Sequence, residues 1–446
     1  MTRRIRLLIF FFIILLGGAT LCATRWNAWF SNPAEPTYIV PDGVSCVMMT
    51  YDSVPSVRHF SWRTADNADS CSLVLTVNKD SSLILGATGE KVLSRSGEAY
   101  YYYVTSPCLS QGQYSYYIQC DADRSATYTF HVAESDSMRF ILFGDLHLAD
   151  SLTSFAWLID SLRGEEIEFF AYTGDIINRP MDKHWQTYFS SLGELSGAIP
   201  HVASVGNHEY LKGICGKIDS RWPHVFHNPT NGPQRFEGTT YYVDFPQMRM
   251  IVLNTQALFR VSDYTVTLTW LNQVLAEAGD KWKVVVMHHP IHSAAMNRDN
   301  VFVHAAFHHA VNKADLVVAG HDHVYCRRAD EHKLTNDTLI VPVLICTSSA
   351  EKYYLPKVGI YDQRVGSNRS FYEDITVTAD TLYIKSCLLP SGEKYDYLKI
   401  ARDDRSIVED TCVCEEILEI PDKYLQTGGL KVRRSINRIR ARKSLF

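Results

Sequence analysis

Five apolar runs in the middle of the chain each stop on a residue type that can hold a metal ion, and four of them stop through a glycine. "FILF" ends in "GDLH", which supplies Asp145 and His147. "FFAYT" ends in "GD", which supplies Asp175. "HVASV" ends in "GNHE", with Asn207, His208 and Glu209. "KVVVM" ends in "HH", His288 and His289. "ADLVVA" ends in "GHDH", with His321, Asp322 and His323. These runs alternate with helical segments such as "SLTSFAWLIDSLRG" and "VTLTWLNQVLAEAG", the organisation of an α/β domain. Open α/β sheets gather their ligands at the carboxyl ends of strands. Residues scattered from 145 to 323 are therefore expected to converge in space. An Asp or Asn after a strand ordinarily caps the next helix, and a His there is ordinarily packed or hydrogen-bonded. Seven hard or borderline ligands at five strand ends fit one dinuclear site better than seven independent caps. The glycines let the backbone turn tightly enough for the side chains to close on the ions.

Residues 36 to 133 read differently. "SCVMMTYDS", "VRHFSWRT", "CSLVLTVN", "YSYYIQCD" and "ATYTFHVA" are short runs rich in Val, Thr and Tyr, separated by turn residues. They predict an all-β sandwich with Trp62 in its core. With 446 residues the chain can build two or more cores. Beyond the α/β series, "IVPVLICTSS", "FYEDITVTAD" and "TLYIKSC" read as strands added antiparallel.

The first 23 residues stand apart. "MTRRIR" leads into "LLIFFFIILL" and then "GGATLCA". A basic start, an apolar stretch and small residues after it predict an export signal or, if retained, a membrane anchor. Leu21 is too bulky for the usual lipoprotein pattern before Cys22. Export permits disulfides among the eleven cysteines, but spacing alone does not choose the pairs. The absence of a CxxC pair argues against a thiolate zinc site. A net charge of −5 makes nucleic acid a poor partner. The basic end, "GGLKVRRSINRIRARKSLF", reads as a solvated tail within a C-terminal extension over 391–446.

The five strand-end motifs, in order, resemble those of the calcineurin-like metallophosphoesterases, and among these the bacterial relatives of purple acid phosphatases. "NGPQRFEGTTYYVDF", "VVVMHHPIHS" and "ADLVVAGHDHVYCR" are similar to that subgroup's linking segments. The resemblance implies a two-sheet sandwich flanked by helices over 138–390, preceded by a fibronectin-like sandwich over 36–133. It implies that Asp145, His147 and His323 hold one divalent transition metal (Mn, Zn, Fe or Co), that Asn207, His288 and His321 hold a second, and that Asp175 bridges them. His208 would act on the substrate, with His289 and His292 as substrate-binding or supporting candidates. Asp322 is expected to point away and hydrogen-bond locally. His304 and His308, one turn apart on a predicted helix, read as structural. The implied activity is hydrolysis of a phosphorylated small molecule, a monoester, outside the cytoplasm, by attack of a hydroxide bridging the metals. A phosphodiesterase or nucleotidase, or an inactive surface binding protein, are the alternatives. One position departs from the purple enzymes. They carry a tyrosine three residues after the bridging aspartate, where this chain has Asn178.

Overall fold

The computed structural model describes residues 3–410, apart from 78–80, 134, 150–152, 214–215, 259, 296–297, 329–331, 335–336, 340–341, 350–363, 366–368 and 403–406. Cys412, Cys414 and the basic tail lie outside the described residues.

The apolar runs form strands because both of their faces are covered. In Ser137–Phe143, Phe140 and Leu142 enter one core while Ile141 and Phe143 enter another. In Met248–Leu253 and Trp282–Met287, Met250, Val252, Val284 and Val286 face that same first core, and Ile251, Leu253, Val285 and Met287 face a third. The first core is thus the interior of a two-sheet sandwich. The other two are covered by helices, Thr153–Ser161 and Asp182–Leu192 on one flank, Val261–Glu277 and Val301–Val311 on the other. Side chains that alternate between two buried faces produce a continuous apolar run rather than a polar–apolar alternation.

The central strands of each sheet are parallel. Ser137–Phe143, Phe169–Tyr172 and His201–Ala203 run together in one sheet, and Met248–Leu253, Trp282–Met287 and Leu316–Ala319 in the other. Phe371–Thr378 and Thr381–Leu388 are added antiparallel, as expected, and Lys394–Ala401 and Ile407–Asp410 continue that edge. The strand in "IVPVLICTSS" corrects the expectation. Val343–Ile345 runs parallel to Leu316–Ala319. The chain first passes out through Cys326–Arg328, turns back in the hairpin His332–Leu334/Asp337–Leu339, and returns into the gap between the two earlier strands.

The N-terminal β region packs two sheets around Trp62, Phe60, Leu73, Leu75, Tyr116 and Ile118. The disulfide Cys71–Cys120 joins directly opposed residues of two strands, and Trp62 Nε1 lies 3.2 Å from Cys71 Sγ. One of these sheets is continuous with the α/β domain: Thr50 pairs in parallel with His201, so eleven strands among the described residues form a single sheet. Tyr116 Oη donates to Gly197 O (2.7 Å) and Ser61 Oγ to Val225 O (3.0 Å) across the same junction.

Candidate metal centre

Strands parallel within each sheet bring their carboxyl ends to one edge of the sandwich, and the loops leaving that edge carry Asp145, His147, Asp175, Asn207, His208, His288, His289, His321 and His323. Of the eight non-glycine residues with positive φ among the described residues, five are Asp145, His147, Asp175, His321 and His323. Such conformations are unfavourable for L-residues and persist where the surrounding fold imposes them. The loops are also tied to one another. His147 N–H donates to Asp175 O (2.9 Å), Asn178 N–H to Leu148 O (2.9 Å) and His321 N–H to Asp145 Oδ2 (2.7 Å). Glycine is required at the closest approaches: a Cβ on Gly206 would lie 2.2 Å from Asp175 Oδ1, and one on Gly174, at φ +100°, 2.6 Å from Gly206 N.

The side chains fall into two overlapping groups. His288 Nδ1–H donates to Thr173 O (3.0 Å), which leaves Nε2 with its lone pair. That atom lies 3.1 Å from Asn207 Oδ1, 3.2 Å from His321 Nδ1 and 3.4 Å from Asp175 Oδ2. Asn207 Oδ1 and His321 Nδ1 are 3.0 Å apart. Four donors around an ion at about 2.0–2.1 Å in tetrahedral geometry stand roughly 3.4 Å from each other, so this spacing suits an ion at the centre. In the second group, His147 Nε2 and His323 Nε2 are 3.1 Å apart, and Asp145 Oδ1 lies 4.0 Å from each. Asp145 Oδ1 is buried and accepts no hydrogen bond among the described residues. Asp175 Oδ2 belongs to both groups, at 3.5 Å from His147 Nε2 and 3.4 Å from His288 Nε2.

Electrostatics point the same way. Asp145, His147, Asp175, His288 and His323 are at most 3% exposed. Burial pushes the Asp145 carboxyl up to about 8. Burial would raise Asp175 as well, but His288 and His208 beside it hold its carboxyl well below the usual range. A buried carboxylate oxygen without a donor, facing imidazole nitrogens, is costly unless a cation sits among them. Nitrogen and oxygen donors without thiolate suit Zn, Mn, Fe or Co.

The remaining candidates divide. The His208 ring stands edge-on to that of His147 at 4.4 Å, its Nδ1 bonds Asn178 O (2.5 Å), its Nε2 lies 3.9 Å from Asp175 Oδ2, and its side chain is 25% exposed at the mouth. His289 offers a nitrogen within 4.8 Å of those of His288 and His321, and its Nδ1 shares a hydrogen bond with Thr255 Oγ1 (2.8 Å). His292 instead packs on His304 (4.5 Å), which stacks on His308 (4.7 Å). Asp322 turns away from the centre and accepts from Ser293 Oγ (2.9 Å) and the N–H groups of Ala294 (2.6 Å) and Ala295 (3.2 Å).

Two residues acquire roles that sequence reasoning did not assign. Glu209 is fully buried and accepts from the N–H groups of Asp175, Ile176, Ile177 and Gly206. Its place inside "GNHE" was the available signal, but a carboxylate there reads equally as a ligand. Arg298 Nη2 donates to His321 O (2.7 Å), and its Nε lies 3.7 Å from Asp322 Oδ1. Nothing in "AMNRDN" marks that arginine.

Residues 138–325 match the family model described as calcineurin-like phosphoesterase. Over 183 residues the chain is 31% identical to purple acid phosphatase 4 of Arabidopsis thaliana, a match covering 36% of this chain and 54% of that protein. The chain thus spans about half the length of that curated relative. Among solved structures, the purple acid phosphatase PPD1 from seeds of yellow lupin, Lupinus luteus, superposes with a TM-score of 0.70 at 14% identity, over 82% of this chain and 76% of that one. PhoD superposes with a TM-score of 0.61 at 12% identity, over 92% of this chain and all of that one. At these identities the two structures speak to the fold.

Proposed function

We propose that this chain, a purple acid phosphatase-like member of the calcineurin-like metallophosphoesterases through its residues 138–325, hydrolyses phosphate monoesters with two divalent transition-metal ions. The observation that carries the reading is the position of Asp175 Oδ2, within 3.5 Å of an imidazole nitrogen from each of two donor groups. In this reading Asp145, His147 and His323 hold one ion, Asn207, His288 and His321 the other, and Asp175 both. Bound there, the pair supplies Lewis acidity that activates water near neutral pH and takes up charge from the phosphoryl oxygens.

The protein's own contribution is placement and proton transfer. Five neutral donors against two carboxylates leave the centre net positive, which favours an anionic ester. His208, at the mouth, reaches the ester oxygen. With Nδ1–H held by Asn178 O, its protonated Nε2 gives a proton to the departing alcohol as the P–O bond breaks. His289, held by Thr255, faces the same space from the His321 side. No side-chain nucleophile is needed, because water supplies the new oxygen on phosphorus. The pairing of an N-terminal apolar helix with the disulfide supports action outside the cytoplasm.

The test is to strip the protein with a chelator, reload it with Mn, Zn, Fe or Co, and measure bound metal and turnover on monoesters, diesters and nucleotides. Two ions per chain and preferential monoester turnover are expected. Preferential diester turnover would replace the substrate class. No bound metal and no restored activity would end the reading.

A further inference from the structure

The segment leaving the N-terminal helix is docked on the body. Arg3–Phe30 is one helix of 28 residues, and its stretch Arg3–Asn27 is long and apolar enough to cross a bilayer, with none of it buried against the protein. At ~1.5 Å per residue such a helix exceeds the ~30 Å of a hydrocarbon core. Two residues beyond Phe30, Asn32 clasps the backbone of Lys212: its Nδ2 donates to Lys212 O (3.0 Å), and Lys212 N–H donates to its Oδ1 (2.8 Å). Three residues further, the side chain of Glu35 is 1% exposed. Its Oε1 accepts from Arg221 Nη1 (2.7 Å) and Asp182 N–H (2.7 Å), and its Oε2 from Arg221 Nη2 (3.1 Å). Arg221 is itself held by Asp182 and Asp219. Arg95 Nη1 donates to Pro33 O (2.6 Å). A passive spacer between anchor and body has no use for a buried carboxylate bridging an arginine and a helix N-terminus.

The docking point lies on the edge of the sandwich that carries the metal centre. Lys212 follows Asn207, His208 and Glu209 in the loop that leaves His201–Ala203. Four residues of chain span at most about 14 Å and two span about 7 Å. His208 is therefore no more than roughly 25 Å from the helix end, even with the Asn32 contact added. Arg3, Arg4 and Arg6 place the other helix end on the cytoplasmic side. At the body end, Trp26 and Phe30 pair their rings at 4.7 Å, an aromatic pair where interfacial aromatics gather. Ile39 (87% exposed) lies on the docked segment, and Leu93 (73% exposed) ends the strand Thr88–Leu93, just before the turn whose Ser96 O accepts from Tyr38 N–H.

We propose that the helix is kept as an anchor and that the site opens toward the bilayer, taking as its substrate a phosphate monoester on a membrane-lipid headgroup. This rests on the phosphoesterase reading above and names its substrate class. Water supplies the oxygen that joins phosphorus. The P–O bond to the lipid alcohol breaks, the alcohol takes a proton and stays in the bilayer, and phosphate leaves. Docking through Asn32 and Glu35 fixes the orientation of the mouth, so the headgroup concentration it meets is that of the surface rather than the bulk.

The experiment uses the full, metal-loaded chain in phosphatidylcholine vesicles containing phosphatidic acid, with p-nitrophenyl phosphate as a water-soluble comparison. A variant carries a flexible Gly/Ser insertion of about 20 residues between Phe30 and Asn32, which keeps the anchor but lets the body wander. Phosphate release from phosphatidic acid should fall at least about tenfold in the variant, while the soluble ester is cleaved as before. Equal rates on the lipid in both proteins would overturn the proposal. So would N-terminal sequencing that finds the helix removed. Cleavage of the soluble ester without the lipid would sink the lipid reading and leave the phosphoesterase intact, whereas no cleavage of either would sink both.

Discussion

The carboxylate of Glu209 accepts the backbone N–H of Asp175 at 2.9 Å and, with its other oxygen, that of Ile176 at 2.8 Å. A residue from one strand-end loop thus fixes the peptide whose carboxylate faces both donor groups. Ile177 and Gly206 donate to the same side chain. Asp175 sits at φ +51°, a conformation that needs such support.

Glu209→Ala should therefore act through Asp175. It leaves four buried N–H groups without their acceptor, at about 1–3 kcal/mol for each that stays unpaired. A lower Tm and weaker metal retention are expected together, with Glu209→Gln intermediate because it keeps one oxygen. Thermal unfolding and metal titration check this. An unchanged Tm with full metal content would show that the Asp175 turn stands without Glu209.

Asp175→Asn is expected to lose more activity and more metal than Asn207→Ala. Asp175 Oδ2 faces both donor groups and carries charge, whereas Asn207 Oδ1 faces His288 and His321 of one group. Equal losses in kcat and in metal stoichiometry would argue against a bridging role.

His208→Ala is expected to reduce turnover by roughly 10²–10⁴, the usual contribution of a general acid, with two metals still bound. Its Nε2 lies 3.9 Å from Asp175 Oδ2 and its side chain is partly exposed, in contrast to the buried donors. Loss of metal in this variant would reassign it as a ligand.

Several of these relationships were legible in the sequence and several were not, for physical reasons. Strand ends were legible because burial on both faces writes an uninterrupted apolar run, and the polar residue that stops it is exposed to chemistry. The outward turn of Asp322 was legible too, since its neighbours His321 and His323 claim the inward positions. Strand partners were not. Val343–Ile345 looks the same whether it pairs parallel or antiparallel, because pairing is decided by which gap the returning chain fills. The Thr50–His201 bridge that merges the two β regions into one sheet involves single residues 151 positions apart, and no local pattern records it. Glu209 and Glu35 are acidic residues whose buried partners are mostly backbone N–H groups or a distant arginine, and backbone donors leave no trace in side-chain patterns.

Stability should fall with acid through His201. Its ring is 1% exposed and its Nδ1 shares hydrogen bonds with Tyr172 Oη (3.0 Å) and Tyr188 Oη (3.2 Å). Burial holds it down to about 3, against ~6.5 when unfolded. Between these values the unfolded chain binds the extra proton, so stability is full above about pH 6.5 and declines as the pH drops toward 3. The loss is about 2 kcal/mol at pH 5. His201→Gln, which keeps a neutral hydrogen-bonding group beside the phenols, should flatten the decline of Tm between pH 7.5 and 5. An identical decline in the variant would place the proton uptake elsewhere.

The iron-loaded protein should lack a purple colour. The visible band of purple acid phosphatases arises from tyrosinate bound to ferric iron, and at the corresponding position this chain carries Asn178, whose backbone carbonyl holds His208. Tyr172 is the nearest tyrosine before the motif, three residues ahead of Asp175. Its ring stacks on His201 at 5.7 Å within the helix-covered core, and its hydroxyl shares a hydrogen bond with His201 Nδ1. It therefore points away from the donor groups, as strand alternation requires. His147 supplies a neutral imidazole in the donor group, and a neutral donor stabilises ferric iron less than a phenolate does. A divalent pair is expected, with an absorption spectrum of the iron-loaded protein featureless where a tyrosinate-to-iron band would fall. A visible band that disappears in Tyr172→Phe would show that this strand rearranges to bring the phenol to the metal.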